Sequence, residues 1–343
     1  MTIYICLFLS QLILWIIARR TNKHRLCLLI SLALLFVVSS FRASTMGTDY
    51  SEYVTVYNHV ASGHNYDMEI GYIIMNWLVS RIILSHVGLA MGVNLMLMIP
   101  FFIFVTKNVP SKYWGLCTLI FTANPYLFVQ GTFNILRQSC ATGMILLATH
   151  FFVRKKWLRG FVFIFIAILF HNIAIVALCI PLFLFLNFNK GLLLGILCFS
   201  YVTGFVLGDK LIAIMAKLLS FGSYATYEAS VFDNPIYTAF IFVFALILLN
   251  YRDKCVETDI QRKFYDLYLI SLSLFFFAFK NDMVYRTYLI FVFVTLPAIP
   301  IVWRKFDNLV RLGYFGYYTV FYFGYLIVVW SGDIMYVPFK FCF

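Results

Sequence analysis

Residues 41–72 read FRASTMGTDYSEYVTVYNHVASGHNYDMEIGY, a long polar stretch in a chain that is otherwise mostly apolar. Hydrophobic residues make up 63% of the 343 and charged residues only 12%, whereas about a quarter of the residues in a soluble domain are charged. About 20 apolar residues span the hydrocarbon core of a bilayer. The composition therefore predicts an all-α polytopic membrane bundle with room for about ten to thirteen helices. The orientation argued next gives about 12 spans plus one partial helix, in one integral membrane domain over residues 1–343.

The basic side chains predict the orientation of this bundle in the bilayer. Because Lys and Arg collect in cytoplasmic loops, we place the basic loops of the chain in the cytoplasm. These loops are residues 19–25, 154–159, 252–263 and 304–311. The net charge of +12 follows from this bias and does not indicate nucleic-acid binding. With the basic loops inside, the two long polar segments, 42–69 and 209–234, lie on the outer side.

The orientation and the apolar spacing together predict four short helices. Residues 70–85 must begin and end on the outer side, and about 16 residues reach only about 24 Å, which favours a re-entrant or interfacial helix. The apolar run from 160 to 187 must divide in two, with His171 and Asn172 at an outward turn. The first half of segment 209–234 has apolar residues at helical spacing and is typical of an amphipathic interfacial helix.

Arginines near the outer face are candidates for binding a diphosphate. A guanidinium group donates two parallel hydrogen bonds to phosphate and keeps its charge. A helix N-terminus also favours an anion. The candidates are Arg42, Arg137 with its neighbour Gln138, and Arg286. The alternative for an arginine at a helix end is snorkelling to the membrane surface.

Acidic, histidine and tyrosine residues of the same outer side are candidates for proton transfer and sugar binding. Asp49, Glu69 and His171 are the candidate general bases. The alternatives are a helix cap for Asp49 and a hydrogen-bonded packing role for His171. Tyr50 and Tyr53 share one helix face and form either a sugar-stacking platform or part of an interfacial aromatic belt.

Several sequence patterns of other enzyme classes are absent. The chain has no Walker A loop, GxGxxG, HExxH or DxD-type acidic pair, and its eight cysteines are scattered without a Cys/His cluster. We therefore expect neither a cofactor nor a metal. An outward-facing enzyme of this kind would use a substrate already activated on a lipid.

Short motifs follow one another along the first half of the chain. They are R-x4-G-T-D-Y-x-x-Y at 42–53, E-x-G-Y at 69–72, R-Q-x-x-A at 137–141 and L-F-H-N-x-A at 169–174. In this order they resemble the EpsG-like family of Wzy-type polysaccharide polymerases. The likeness covers residues 40–180, and the C-terminal half adds a similar hydrophobic profile and a late arginine, Arg286.

The resemblance implies a glycosyltransferase of the bacterial inner membrane with a GT-C-like architecture and an active site facing the periplasm. Such an enzyme joins undecaprenyl-diphosphate-linked oligosaccharide repeat units into O-antigen or exopolysaccharide. A flippase and a chain-length regulator are the partners it implies. One alternative is an O-antigen ligase or another outer-leaflet glycosyltransferase. The other is a transporter or flippase of an anionic glycan, although we find no internal repeat of the kind common in transporters.

Overall fold

The computed structural model describes residues 1–124, 126–219, 235–280, 282–328 and 338–342. These residues are almost entirely helical, and the all-α prediction is confirmed for them. The helices are α1 (Thr2–Thr21), α2 (His24–Ser40), α3 (Tyr50–Ala61), α4 (Ile70–Ser80), α5 (His86–Asn108), α6 (Trp114–Ala123), α7 (Val129–Phe133), α8 (Leu136–Phe152), α9 (Trp157–Phe170), α10 (Cys179–Phe185), α11 (Lys190–Leu219), α12 (Pro235–Cys255), α13 (Asp259–Ala278), α14 (Asp282–Leu289), α15 (Thr295–Trp303) and α16 (Asn308–Val328).

Among the described residues, four helical runs are long and apolar enough to cross a membrane: Thr2–Thr21, His86–Asn108, Lys190–Gly208 and Tyr285–Trp303. A run of about 20 residues extends about 30 Å, the thickness of the hydrocarbon core. Large apolar side chains also cover the outer face of α1, where Ile5, Leu9 and Ile13 are 40%, 46% and 53% exposed. A helix with an apolar outer face suits lipid better than water. The total of about 12 spans stays a prediction.

Two of the predicted short helices occur at the positions that the orientation of the loops requires. Helix α4 has 11 residues and is about 16 Å long, so it is too short to cross a bilayer alone. Helix α9 ends at Phe170, His171 has an extended backbone, and a 3₁₀ segment, Asn172–Leu178, leads into α10. The predicted break at His171 is therefore confirmed, while the membrane side on which it lies stays a prediction.

The second polar segment differs from its prediction. We expected a separate interfacial helix at the start of residues 209–234, but α11 runs without a break from Lys190 to Leu219. The apolar spacing was correctly assigned to a helix, and the error was to separate that helix from the preceding apolar run. Residues 220–234, the rest of the predicted outer segment, lie outside the described residues.

The helices form two compact units. The first contains Met1–Ile175 and Phe306–Phe343, and the second contains Val176–Lys305. In the first unit, the backbone near the C-terminus pairs with the start of the polar segment: the Ala43 N–H donates to the Lys340 carbonyl at 2.9 Å. The same unit contains Glu69, Arg137 and His171. One integral membrane domain over residues 1–343 stays a prediction.

A buried ion pair joins α12 and α13 within the second unit. Arg252 donates from Nε to Asp266 Oδ1 at 2.5 Å and from Nη2 to Asp266 Oδ2 at 2.7 Å. Its Nη2 also donates to the Phe188 carbonyl at 2.7 Å. The two side chains are only 5% and 6% exposed. Because the Arg252 guanidinium bonds both to Asp266 and to the Phe188 carbonyl, it links α12, α13 and the segment between α10 and α11.

Breaking this pair should destabilise the protein. We expect Arg252→Ala to lower the free energy of unfolding by about 3–5 kcal/mol, because Asp266 would stay buried without its counter-charge. The midpoint of thermal unfolding in detergent measures the effect. Lys263→Ala, which breaks the pair with exposed Asp259, is the control and should cost under about 1 kcal/mol. Equal losses in the two variants would contradict the prediction.

Candidate functional site

The Glu69 site consists of Glu69, Arg137 and His171, which come from three of the motifs. Glu69 immediately precedes α4, and its carboxylate is 9% exposed. Oε2 accepts a hydrogen bond from Arg137 Nη1 at 2.5 Å, and Oε1 lies 3.1 Å from His171 Nδ1. The Asn172 backbone N–H donates to the same Oε1 at 3.3 Å. Residues about 70 and 100 positions from Glu69 therefore converge on one carboxylate.

Helix lengths explain why Arg137 and His171 meet. Helices α8 and α9 have 17 and 14 residues and are about 25 and 21 Å long. Residues 153–156 connect them, with Lys155 in the left-handed region at φ 58°. A link this short makes the two helices antiparallel, so the beginning of α8 lies level with the end of α9. Arg137 is the second residue of α8, and His171 directly follows α9.

The charge state of Glu69 follows from these contacts. Burial alone raises the pKa of the Glu69 carboxyl, but hydrogen bonds from His171 and Arg137 and the positive charge of Arg137 outweigh it and lower the pKa to about 2. Glu69 is therefore ionised at neutral pH and only accepts hydrogen bonds. His171 must then carry a proton on Nδ1, which leaves Nε2 as the proton-accepting atom of the neutral ring.

Arg137 is the most accessible member of the Glu69 site. Its side chain is 28% exposed, against 9% for Glu69 and 12% for His171. Its guanidinium carbon lies 6.0 Å from the centre of the Tyr53 ring. Tyr53 in turn packs edge-on against Tyr72, with 5.7 Å between ring centres. The arginine is therefore supported by an aromatic pair and still open to a ligand.

Asp49 lies near the start of α8 through a contact that the sequence did not predict. Asn134 Oδ1 accepts hydrogen bonds from Thr48 Oγ1 at 2.6 Å and from the Asp49 backbone N–H at 2.8 Å. Asn134 precedes Arg137 by three residues, and this polar residue in an apolar run was the signal we missed. The Asp49 side chain is exposed and makes no capping hydrogen bond, although the residue occupies the N-cap position of α3.

Two predicted ligand-binding residues have no accessible surface. Arg42 is fully buried, donates a hydrogen bond to the Ser39 carbonyl, and stacks on the rings of Tyr50 and Phe133 at 3.8 and 4.7 Å. Tyr50 is also fully buried, and its hydroxyl donates to the His86 carbonyl at 2.7 Å. Neither side chain offers surface to a ligand in this structure, and the roles of Arg42 as a diphosphate ligand and Tyr50 as a sugar platform stay predictions. Both hold the polar segment against its neighbours.

The other predicted residues have different surroundings. Tyr53 is buried beside Arg137, so it supports the arginine and has little ring surface left for a sugar. Gln138 is buried in the first turn of α8. Arg286 lies in α14 of the second unit with a partly exposed side chain. Its predicted contact with a diphosphate stays a prediction.

Over the residues that the structure describes, these features define a helical protein with several helices apolar enough for a membrane and a charged site where α4, α8 and α9 meet. The chain belongs to the EpsG family, whose model matches residues 25–341. The family predicted from the short motifs is thus confirmed, and the match extends through the half that carries few of them. No curated protein and no solved structure matched the chain. Family membership indicates a membrane protein of polysaccharide biosynthesis.

Proposed function

We propose that this protein is a polysaccharide polymerase that joins undecaprenyl-diphosphate-linked repeat units at the outer face of the bacterial inner membrane. The observation that carries the proposal is the convergence of Arg137, Glu69 and His171 in one partly exposed site. Membership of the EpsG family supports the same function. A multi-pass architecture with the site facing the periplasm, and a flippase and a chain-length regulator as partners, belong to the proposal.

In the proposed reaction, Arg137 binds the diphosphate of the donor. Its planar fork suits two phosphate oxygens, and its charge stabilises the negative charge that develops as the diphosphate leaves. The accessible surface of Arg137 supports this role, since Glu69 and His171 are more deeply buried. Arg286 is a further candidate for diphosphate binding.

His171 acts as the general base in the proposed reaction. The terminal sugar hydroxyl of the acceptor attacks the anomeric carbon of the donor, and the bond from that carbon to the phosphate oxygen breaks. The hydroxyl proton moves to Nε2 of His171, and the diphosphate leaves on its lipid. Glu69 accepts the hydrogen bond from Nδ1–H and so fixes the ring and its tautomer. Asp49, exposed near Asn134, is the alternative base.

A defined substrate tests the function directly. Purified protein in lipid nanodiscs would receive one repeat unit on undecaprenyl diphosphate, and the products would be separated by size on a gel. A polymerase produces a ladder of repeat lengths, whereas a ligase produces a single transfer to a different acceptor. In a second assay, the protein is placed in lipid vesicles. Substrate that crosses the vesicle membrane without formation of a new glycosidic bond would indicate a flippase. Either of the last two outcomes would overturn the proposal.

The role of His171 predicts a specific loss of activity. We expect His171→Gln to lower the polymerisation rate about 100-fold, because a positioned general base contributes at least about that factor. The variant retains a polar side chain of similar size, so folding should be preserved. His24→Gln, changed at the start of α2 and outside the Glu69 site, is the control and should keep the wild-type rate. The rate of ladder growth is the measurement, and an unchanged rate in His171→Gln would remove this residue from the mechanism.

A further inference from the structure

Helices α4 and α9 approach each other backbone to backbone at Gly71 and Leu169. A Cβ atom on Gly71 would lie 2.8 Å from the carbonyl oxygen of Leu169, 2.9 Å from its carbonyl carbon and 3.0 Å from its Cβ. Real Cβ atoms essentially never come closer than 3.0 Å to another heavy atom. Gly71 does not have the positive φ that favours glycine, so the residue is required here for space.

This contact lies beside the Glu69 site on both helices. Glu69 precedes Gly71 by two residues, and His171 follows Leu169 by two residues. Each member of the pair is also the residue that flanks its helix, Glu69 before α4 and His171 after α9. Only one residue on each side separates the contact from the hydrogen bond. A change in the spacing of the helices must therefore change the distance between Glu69 and His171.

We propose that Gly71 is a positioning residue, whose missing side chain sets the helix spacing at which Glu69 orients His171. The inference rests on the proposed function for its effect on rate, while the geometry that it explains is independent of that function. Contacts under 3.0 Å essentially do not occur and ordinary van der Waals contact begins at 3.4 Å, so a methyl group at position 71 must push the Leu169 carbonyl oxygen away by 0.2 to 0.6 Å. The 3.1 Å contact between Glu69 Oε1 and His171 Nδ1 would then open.

The pair between Glu69 and Arg137 should respond less. Arg137 comes from α8, which takes no part in the contact between Gly71 and Leu169. Its long side chain can follow a small movement of the carboxylate, whereas the His171 ring is attached by one methylene to the end of α9. A shift of α4 should therefore disorder the His171 ring but leave Arg137 in place to bind the diphosphate.

Gly71→Ala tests the inference with two measurements. We expect the polymerisation rate to fall about 10- to 100-fold, because a displacement of about 1 Å in a positioned group costs up to that factor. Binding of undecaprenyl diphosphate should stay within about twofold, since Arg137 remains in place. In ¹⁵N-histidine-labelled protein, the NMR signal of the His171 Nδ1–H, assigned by its loss in His171→Gln, should disappear. This signal reports the geometry even if the protein proves not to be a polymerase.

Two further variants distinguish positioning from general damage to packing. In Gly92→Ala, the new methyl group meets a Val79 methyl at 2.9 Å, a side-chain contact at the opposite end of α4 from Glu69. Leu169→Ala shortens the side chain but leaves the backbone contact with Gly71. Both variants should keep the His171 signal. Retention of the signal in Gly71→Ala, or its loss in either of the other two, would overturn the inference, as would an equal fall of the thermal midpoint in all three.

Discussion

Replacement of Glu69 by Gln should lower the rate of polymerisation by roughly 10³- to 10⁴-fold, the largest effect that we expect at any single position. The size follows because two contributions are lost together: a positioned general base contributes about 10²-fold, and a well-placed donor to a developing negative charge contributes about 10²-fold more. Glu69 accepts hydrogen bonds from Arg137, His171 and the Asn172 N–H. A glutamine has one oxygen and no charge, so it can accept a hydrogen bond from Arg137 or from His171 but not from both with separate oxygens. The variant therefore no longer fixes both the tautomer of His171 and the position of Arg137.

The defect of Glu69→Gln should be present at every pH from 4 to 8. Because the pKa of the Glu69 carboxyl is about 2, the wild-type carboxylate stays ionised over that range and keeps accepting its hydrogen bonds. The wild-type protein should therefore be faster than the variant at each pH tested. Ladder growth at several pH values measures the two rates. Glu52→Gln, in the exposed first turn of α3, is the matched control and should keep the wild-type rate. A loss of less than about tenfold in Glu69→Gln would contradict the central role of this carboxylate.

The sequence identified the three members of the Glu69 site as candidates but did not indicate that they contact one another. Arg137, Glu69 and His171 were all candidates because each is an ionisable group at the end of an apolar run. The run lengths even indicated the break at His171, since a single long helix would invert the later basic loops. What the sequence could not predict is that two of these groups bind the third. That pairing depends on the distance between α4 and α9, which is set by a glycine contact.

The burial of Arg42 and Tyr50, which the sequence did not predict, has a common physical cause. Both residues belong to a polar segment, and polarity indicates exposure only when no aromatic partner is available. Arg42 instead stacks on Tyr50 and Phe133, and its hydrogen bond to the Ser39 carbonyl compensates for part of the lost hydration. Phe133 is distant in sequence, so nothing near Arg42 in the chain indicates that the arginine is covered.

In the proposed reaction, the Glu69 site couples binding of the donor diphosphate to transfer of the acceptor proton. In the structure, the charge of Glu69 is balanced mainly by Arg137. A diphosphate carries more negative charge than a carboxylate and offers more acceptor oxygens, so it would compete for the same guanidinium. Glu69 would then retain the hydrogen bonds from His171 and Asn172 and interact more strongly with the histidine. Donor binding would in this way favour transfer of the acceptor proton to His171.

Arg137→Ala should lower the polymerisation rate about 10³-fold, the second large effect that we expect. Removal of one well-placed donor to a developing negative charge costs about 10²- to 10³-fold, and Arg137 also supplies the counter-charge of Glu69. Arg137→Lys keeps a positive charge beside Glu69 but loses the planar fork. We therefore expect it to fold normally and to lose only about 10- to 100-fold. The ladder assay gives the rates, and titration with undecaprenyl diphosphate gives the affinities.

The comparison with a second arginine decides whether Arg137 acts on the substrate. Arg81 directly follows α4 and packs over the Trp77 ring at 5.3 Å. Arg81→Ala therefore removes an exposed arginine from the same unit without touching the Glu69 site. If Arg137 binds the diphosphate, its loss weakens the affinity for undecaprenyl diphosphate and Arg81→Ala does not. If Arg137 only holds Glu69 in place, the affinity stays at the wild-type value while the rate falls. The same titration of Arg286→Ala tests the other arginine predicted to bind the diphosphate.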